Sequence, residues 1–121
     1  MFSFGVMASG GGSNFKALLE KVQDGSLRAK CAFLIVNNGD CGAVQIAKEF
    51  GVPTFHISGK THPEQLEYEE ALLGVLSNHP VDLLLLAGYM KKIPDSLIQA
   101  LPERILNIHP ALLPKYGGKG F

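Results

Sequence analysis

The chain has 121 residues, no formal net charge, and 46% hydrophobic against 18% charged residues. This length supports one domain with a single core, and the composition is that of an ordinary globular protein. The lack of a basic excess argues against a nucleic-acid partner, and no apolar run approaches the length of a membrane span.

The first predicted element is a strand over about Ser3–Ala8, in the apolar stretch "FSFGVMAS". This N-terminus lacks the basic segment of a secretory signal. Cys31 and Cys41 lack the spacing of a metal site, and no other residues match a zinc ligand set. We therefore predict a cytoplasmic protein with reduced thiols and no metal.

A helix follows this strand, because four apolar residues recur at helical spacing: Phe15, Leu18, Leu19 and Val22. Ser13 is predicted to be the N-cap of the helix, and Gly25 is predicted to end it. The run "KCAFLIV" predicts a second strand, which ends at the turn "NNG". Residues 42–50 predict a short helix that ends at Gly51.

The second half of the chain continues this alternation. "PTFHI" predicts a weaker strand, Glu64–Asn78 a helix, and "VDLLLLAG" a strand buried on both faces, as is typical of a parallel sheet. A short helix over Asp95–Ala100 leads to "RILNIH", which predicts a fifth strand within the core. The alternation predicts one α/β domain over residues 1–121, with an open, mostly parallel, Rossmann-like sheet and helices on both faces.

Ligands of such sheets bind beyond the carboxyl ends of the strands, and the first loop there is "ASGGGSNF". Glycines let a ligand approach the backbone, and the N–H groups and dipole of a helix start favour an anion such as phosphate. The first turn carries Lys16 and no acidic residue. A tight turn without a ligand is the alternative, but one glycine would suffice for it. Neither the dinucleotide nor the P-loop fingerprint is met, so we expect a small molecule with one phosphate.

The second loop, "LAGYMKKI", releases apolar and aromatic residues at the end of the fourth strand. It can line a flat apolar pocket for a planar ring, with backbone groups supplying hydrogen bonds. The alternative is that Met90 and Ile93 belong to the core. Lys91 and Lys92 are more typical of a solvated surface.

The third loop begins at "LNIHP", where Asn107 and His109 share one face because strand side chains alternate. Burying these polar groups without partners is costly, whereas at a strand's carboxyl end they can face a cleft. Asn donates from its amide, and His donates or carries a proton near neutral pH. Two converging donors can stabilise an oxyanion. The alternative is a strand end with a structurally bonded His.

These loops resemble the glycinamide ribonucleotide formyltransferases of purine biosynthesis. The resemblance lies in "MASGGGSNFKALL", "LAGYMKKIP" and "ILNIHPALLPKYGG", which occur in this order along essentially the whole chain. It implies that the amine of glycinamide ribonucleotide attacks the formyl carbon of 10-formyltetrahydrofolate as co-substrate. The products are the N-formyl ribonucleotide and tetrahydrofolate.

By position, the resemblance implies a role for each matching residue. Gly12, Ser13 and Asn14 would hold the ribonucleotide phosphate and its surroundings. Asn107 and His109 would stabilise the tetrahedral intermediate, and His109 would also move a proton. The residues implied to bind folate, largely through backbone, are Met90, Lys91, Lys92, Ile93 and Asn107.

The sequence departs from the family in two ways. Gln65 stands where the family often has an Arg that contacts the folate tail, so this contact stays open. The family also has an essential Asp that pairs with the His, and no residue before Phe121 takes that place. We therefore expect these residues to be an N-terminal portion of the enzyme and to be inactive alone.

Two alternatives remain beside this function. A transfer-RNA formyltransferase or a formyl-folate hydrolase would resemble the chain around Asn107 and His109, but without the "GGGSN" loop in this form. A non-catalytic nucleotide-binding module would keep that loop and need neither polar residue. The expected partners are small-molecule substrates, with no nucleic acid and no membrane; the oligomeric state is open.

Overall fold

The computed structural model describes residues 2–10, 12–39, 41–89 and 93–108. Within these ranges strands and helices alternate along the chain, as predicted. The strands are β1 (Phe2–Ala8), β2 (Ala29–Val36), β3 (Thr54–His56), β4 (Leu83–Ala87) and β5 (Ile105–Ile108). The helices are α1 (Ser13–Gln23), α2 (Gly42–Phe50), α3 (Gln65–Asn78) and α4 (Asp95–Ala100).

The strands form an open parallel sheet in the order β3-β2-β1-β4-β5. The chain runs outward from β1 to β3 and then crosses back to β4 on the other side of β1. The sheet therefore has a switch point between β1 and β4, the position at which open α/β sheets bind ligands. The predicted Rossmann-like architecture is confirmed.

Two apolar clusters cover the two faces of the sheet. Helices α1 and α2 pack on one face, chiefly through Phe15, Leu19, Ala43 and Ala47. Helices α3 and α4 pack on the other face, chiefly through Tyr68, Leu72, Val75 and Leu97. Strands β1, β2 and β4 lie between the helix layers and read as nearly continuous apolar runs for that reason.

The start of α1 differs from the prediction. Ser13 is the first helical residue, and the N-cap is Gly12, whose φ of 84° lies in the left-handed region. A Cβ atom on Gly12 would lie 2.8 Å from the Cα atom of Ala43 in α2. Because both the dihedral angle and the neighbouring helix exclude a side chain, glycine occupies the cap. At the other end, Gly25 has a φ of 86° and follows the C-cap Asp24, as predicted.

Strand β5 is an edge of the described sheet. Leu106 pairs with Leu85 and so faces the layer of α1 and α2, yet 53% of its surface is exposed. These two helices pack over β1, β2 and β4 and do not reach Leu106. Ile105 faces the other way and packs against the cluster of α3 and α4.

Candidate functional site

The register of the sheet brings the three predicted loops together. Ala8 at the end of β1 lies opposite Ala87 at the end of β4, and Ala87 lies opposite Ile108 at the end of β5. All three strands are parallel, so their carboxyl ends lie at the same edge of the sheet. The loops that follow these strands therefore start side by side at the switch point.

The start of α1 has the properties of an anion site. Gly12 caps the helix without a side-chain hydrogen bond, and the first turn contains no acidic residue. The first intrahelical bond runs from the Lys16 N–H to the Gly12 carbonyl, at 2.8 Å. The N–H groups that precede Lys16 have no carbonyl from an earlier helical turn, and the helix dipole places partial positive charge there.

Asn14, the second residue of α1, holds a polar atom without a partner among the described residues. Its Nδ2 atom is buried and makes no hydrogen bond within the part of the chain that the structure describes. A buried donor left unpaired costs about 1–3 kcal/mol. The Nδ2 atom is therefore free to donate a hydrogen bond to an acceptor atom of a ligand. Ser13 begins the same helix, but its side chain lies outside the described atoms.

The loop after β4 begins with a sharp change of direction. Gly88 has a φ of 73°, and Tyr89 follows it. The Tyr89 hydroxyl lies 2.6 Å from the hydroxyl of Tyr68 in α3. Burial, and then this hydrogen bond, raise the pKa of Tyr89 above its ordinary value, so Tyr89 is a neutral phenol at physiological pH.

The predicted folate residues of this loop are only partly described. Ile93 is half-buried and packs against the cluster of α3 and α4, in agreement with the alternative that it belongs to the core. Met90, Lys91 and Lys92 lie outside the described residues.

The carboxylate of Glu69 in α3 connects this helix with the start of α4. Ser96 Oγ donates to Glu69 Oε1 at 2.6 Å, and Gln65 Nε2 donates to Glu69 Oε2 at 2.7 Å. These hydrogen bonds, the one from Ser96 first, hold the pKa of Glu69 below its ordinary value. A cavity of about 590 Å³ lies here, lined in part by Gln65, Tyr68, Glu69, Pro94 and Asp95. Gln65, which stands where the family often has an Arg that contacts the folate tail, is thus hydrogen bonded to Glu69 on its own helix.

Asn107 lies near the end of β5 with an exposed side chain. It pairs with Leu86 and shares its face with Ile105, which packs with the cluster of α3 and α4. Asn107 therefore faces the side of the sheet on which Tyr89 and Ile93 lie. His109 lies outside the described residues, so its predicted convergence with Asn107 stays a prediction.

Sequence reasoning missed the contacts that tie α3 to the neighbouring loop and helix. The Gln65–Glu69 pair has the four-residue spacing of neighbours on one helix face, which is a readable signal. Neither the Tyr68–Tyr89 pair nor the Glu69–Ser96 pair has such a signal, because both are set by tertiary packing.

We also searched the described residues for metal ligands, reactive thiols and membrane-spanning helices. These residues contain no group of three His, Cys, Asp or Glu side chains that could hold a metal ion. Cys31 and Cys41 are free thiols, and burial raises the pKa of Cys31 to about 12. None of the described helices is long and apolar enough to cross a membrane.

Comparison with known proteins gives a consistent result. A family model described as formyl transferase matches residues 3–120. The chloroplastic phosphoribosylglycinamide formyltransferase of Arabidopsis thaliana is 47% identical over 95% of this chain and 40% of its own length. The phosphoribosylglycinamide formyltransferase of Bacillus subtilis is 37% identical over 98% of this chain and 60% of its own length.

A solved structure supports the same relationship. Glycinamide ribonucleotide transformylase 1 from Geobacillus kaustophilus matches with a TM-score of 0.86 at 36% identity, over 99% of this chain and 64% of that one. The chain thus spans 40% to 60% of the length of the two relatives named above. Its fold, its loop positions and the family match agree, and the chain belongs to the formyl transferase family.

Proposed function

We propose that this chain supplies the ribonucleotide and folate contacts of a phosphoribosylglycinamide formyltransferase. The reaction transfers the formyl group of 10-formyltetrahydrofolate to the amine of glycinamide ribonucleotide in purine biosynthesis. One observation carries the proposal: the start of α1 lies at the same sheet edge as the ends of β4 and β5, and the Nδ2 atom of Asn14 there is buried without a partner among the described residues. The names of the relatives favour this acceptor over others.

The ribonucleotide phosphate would bind at the start of α1. Backbone N–H groups around Gly12 and Ser13 and the side-chain amide of Asn14 would donate hydrogen bonds to the phosphate and its surroundings. This is supported by the helix dipole and by the absence of an acidic residue from the first turn of α1. A bound anion would also accept a hydrogen bond from the Nδ2 atom of Asn14, which has no partner among the described residues.

The formyl transfer would proceed by addition and elimination. The ribonucleotide amine attacks the formyl carbon and forms a C–N bond, and the formyl oxygen takes the negative charge of the tetrahedral intermediate. Collapse of this intermediate breaks the bond between the formyl carbon and the folate nitrogen. The proton lost by the amine ends on that nitrogen, and tetrahydrofolate leaves.

Asn107 and His109 are the residues proposed to assist this reaction. The amide of Asn107 donates a hydrogen bond to the developing oxyanion, and His109 stabilises the same charge and moves the proton. The support for Asn107 is its exposed position at the carboxyl end of β5, on the same face as the loop after β4. The reaction as proposed uses no metal.

Folate would bind beside this loop. Met90, Lys91, Lys92 and Ile93 would border the pocket largely through their backbone, and Asn107 would close it from β5. The support is position: Tyr89 and Ile93 lie on the same side of the sheet as Asn107.

The choice of acceptor tests this function directly. The native protein is incubated with 10-formyltetrahydrofolate and with glycinamide ribonucleotide, transfer RNA or water alone as acceptor. We expect formylation of the ribonucleotide only. Formylated transfer RNA, or formate release without a formylated ribonucleotide, would refute the proposal in favour of another formyl-folate enzyme.

Three further parts of the proposal concern the chain as a whole. Residues 1–121 would form a single formyltransferase domain with small-molecule substrates only. These residues alone would not catalyse formyl transfer, because the acidic partner that the resemblance implies for His109 is not among them. An assay of the purified 121-residue chain tests this.

The protein would be cytoplasmic, although relatives from Arabidopsis thaliana and Vigna unguiculata are named chloroplastic. Cell fractionation decides between the compartments.

A further inference from the structure

Two consecutive residues of α3 hold the two ends of the connection between β4 and α4. Tyr68 contacts the Tyr89 hydroxyl, just after β4, at 2.6 Å. Glu69 accepts from Ser96, at the start of α4, also at 2.6 Å. One short segment of α3 is thus hydrogen bonded on both sides of this connection.

The first of these contacts is firmly anchored. Tyr68 is only 9% exposed and belongs to the apolar cluster with Leu72 and Val75, so the helix fixes its ring. Tyr89 is half-buried beside it. One hydroxyl donates and the other accepts, and replacing either leaves a half-buried polar group without its partner.

The second contact involves a charge. Hydrogen bonds hold the pKa of Glu69 low, so it is a carboxylate at neutral pH. A hydroxyl donating to a carboxylate is stronger than a neutral pair. Gln65 occupies the other carboxylate oxygen at 2.7 Å and orients the group toward Ser96.

From this geometry we infer that Tyr68 and Glu69 are positioning residues for the folate co-substrate, acting by fixing Tyr89, Ile93 and Ser96 on the α3 face of the sheet. The inference rests on the proposed function, which assigns the folate border to this connection. Neither residue touches the reacting atoms; both act through the backbone that they hold.

Because the two proposed substrate sites lie on helices of opposite faces of the sheet, the inference predicts different effects on the binding of the two substrates. The ribonucleotide site is built on α1, which packs with α2 on the opposite face from α3. Loosening the α3 contacts should therefore affect folate binding and leave ribonucleotide binding unchanged. A general loss of stability would affect both substrates.

The test compares steady-state constants of Tyr68→Phe, Tyr89→Phe and Ser96→Ala in the native protein. Each variant should raise the KM for 10-formyltetrahydrofolate about fivefold, as expected for loss of one hydrogen bond, with the KM for the ribonucleotide within about twofold of the native value. The Tyr68→Phe/Tyr89→Phe double variant should be no worse than either single variant, because all three remove the same contact. Glu70→Gln is the matched control, since Glu70 is exposed and adjoins Glu69 on the same helix.

Equal increases in both KM values, or no change in the KM for folate, would overturn the inference. Hydrogen exchange of residues 88–96 provides a readout that does not depend on turnover. We expect faster exchange there in Tyr68→Phe and unchanged exchange in α1. A native protein that transfers no formyl group would refute the proposed function, whereas unchanged exchange at residues 88–96 would refute the positioning role by itself.

Discussion

Gly12 and Ala43 lie so close together that a single Cβ atom on Gly12 would come within 2.8 Å of the Ala43 Cα atom. Helix α2 thus packs directly against the start of α1, at the point where the phosphate is proposed to bind. This contact and the left-handed φ of Gly12 each require a residue without a side chain at this position.

Gly12→Ala should therefore lower the free energy of unfolding by about 1–3 kcal/mol through backbone strain, with any movement of α2 adding to this. It should also raise the KM for the ribonucleotide, because the helix start would shift. Gly10→Ala is the control, since nothing lies within 4 Å of a Cβ atom at Gly10. Denaturant unfolding of both variants checks the prediction, and equal stability of the two would contradict it.

Asn14→Ala should have opposite effects on the free and the ligand-bound protein. Without ligand, removing the buried and unpaired Nδ2 donor should raise the free energy of unfolding, by at most the about 1–3 kcal/mol that the unpaired donor costs. With the ribonucleotide present, the variant should lose most of the rise in Tm that the native protein gains on binding. Thermal unfolding with and without ribonucleotide measures both effects. A large loss of stability in the absence of ligand would show that the amide has a structural partner.

His109→Ala and Asn107→Ala test the proposed chemistry. Each should lower kcat by about 100-fold or more, the range for loss of a proton carrier or an oxyanion donor. Ribonucleotide affinity, measured by calorimetry, should change little. The exposed position of Asn107 also predicts that its replacement leaves the Tm unchanged. Unchanged turnover in both variants would favour a non-catalytic nucleotide-binding module.

Cys31 should make stability depend on pH in the alkaline range. Burial raises the pKa of its thiol from 9.0 to about 12 in the folded protein. In the unfolded chain the thiol ionises at its ordinary pKa, so rising pH above 9.0 favours unfolding until the folded thiol also ionises. Cys31→Ala should remove this part of the loss of stability at alkaline pH, as measured by urea unfolding between neutral pH and pH 10. Identical pH profiles of the variant and the native protein would contradict the prediction.

Much of the fold could be predicted because its signals are local. The apolar run of β4, the helical spacing of α1 and the glycine at Gly51 each indicate structure within a few residues of sequence. The N-cap of α1 could not be predicted in this way. Ser13 has the better capping side chain, but the approach of Ala43 and the backbone turn at Gly12 decide the boundary.

The candidate site was predictable to a smaller extent. The glycine loop and Asn107 stand out because their residue types are unusual beside apolar strands. The exposure of Leu106 was not predictable, because an apolar run does not reveal whether a helix layer covers it. The hydroxyl pair of Tyr68 and Tyr89 joins residues far apart in the chain, and only the packing of α3 on the sheet brings them together.

The alignment of Ala8 with Ala87 also has a kinetic consequence. β1 is the first strand of the chain, and its site-forming neighbour β4 is synthesised after β2, β3 and three helices. Pairing across such a long loop is slow in comparison with helix formation or the pairing of nearby strands. Ribonucleotide binding should therefore be gained late in refolding, and recovery of binding should follow the slowest recovery of sheet structure.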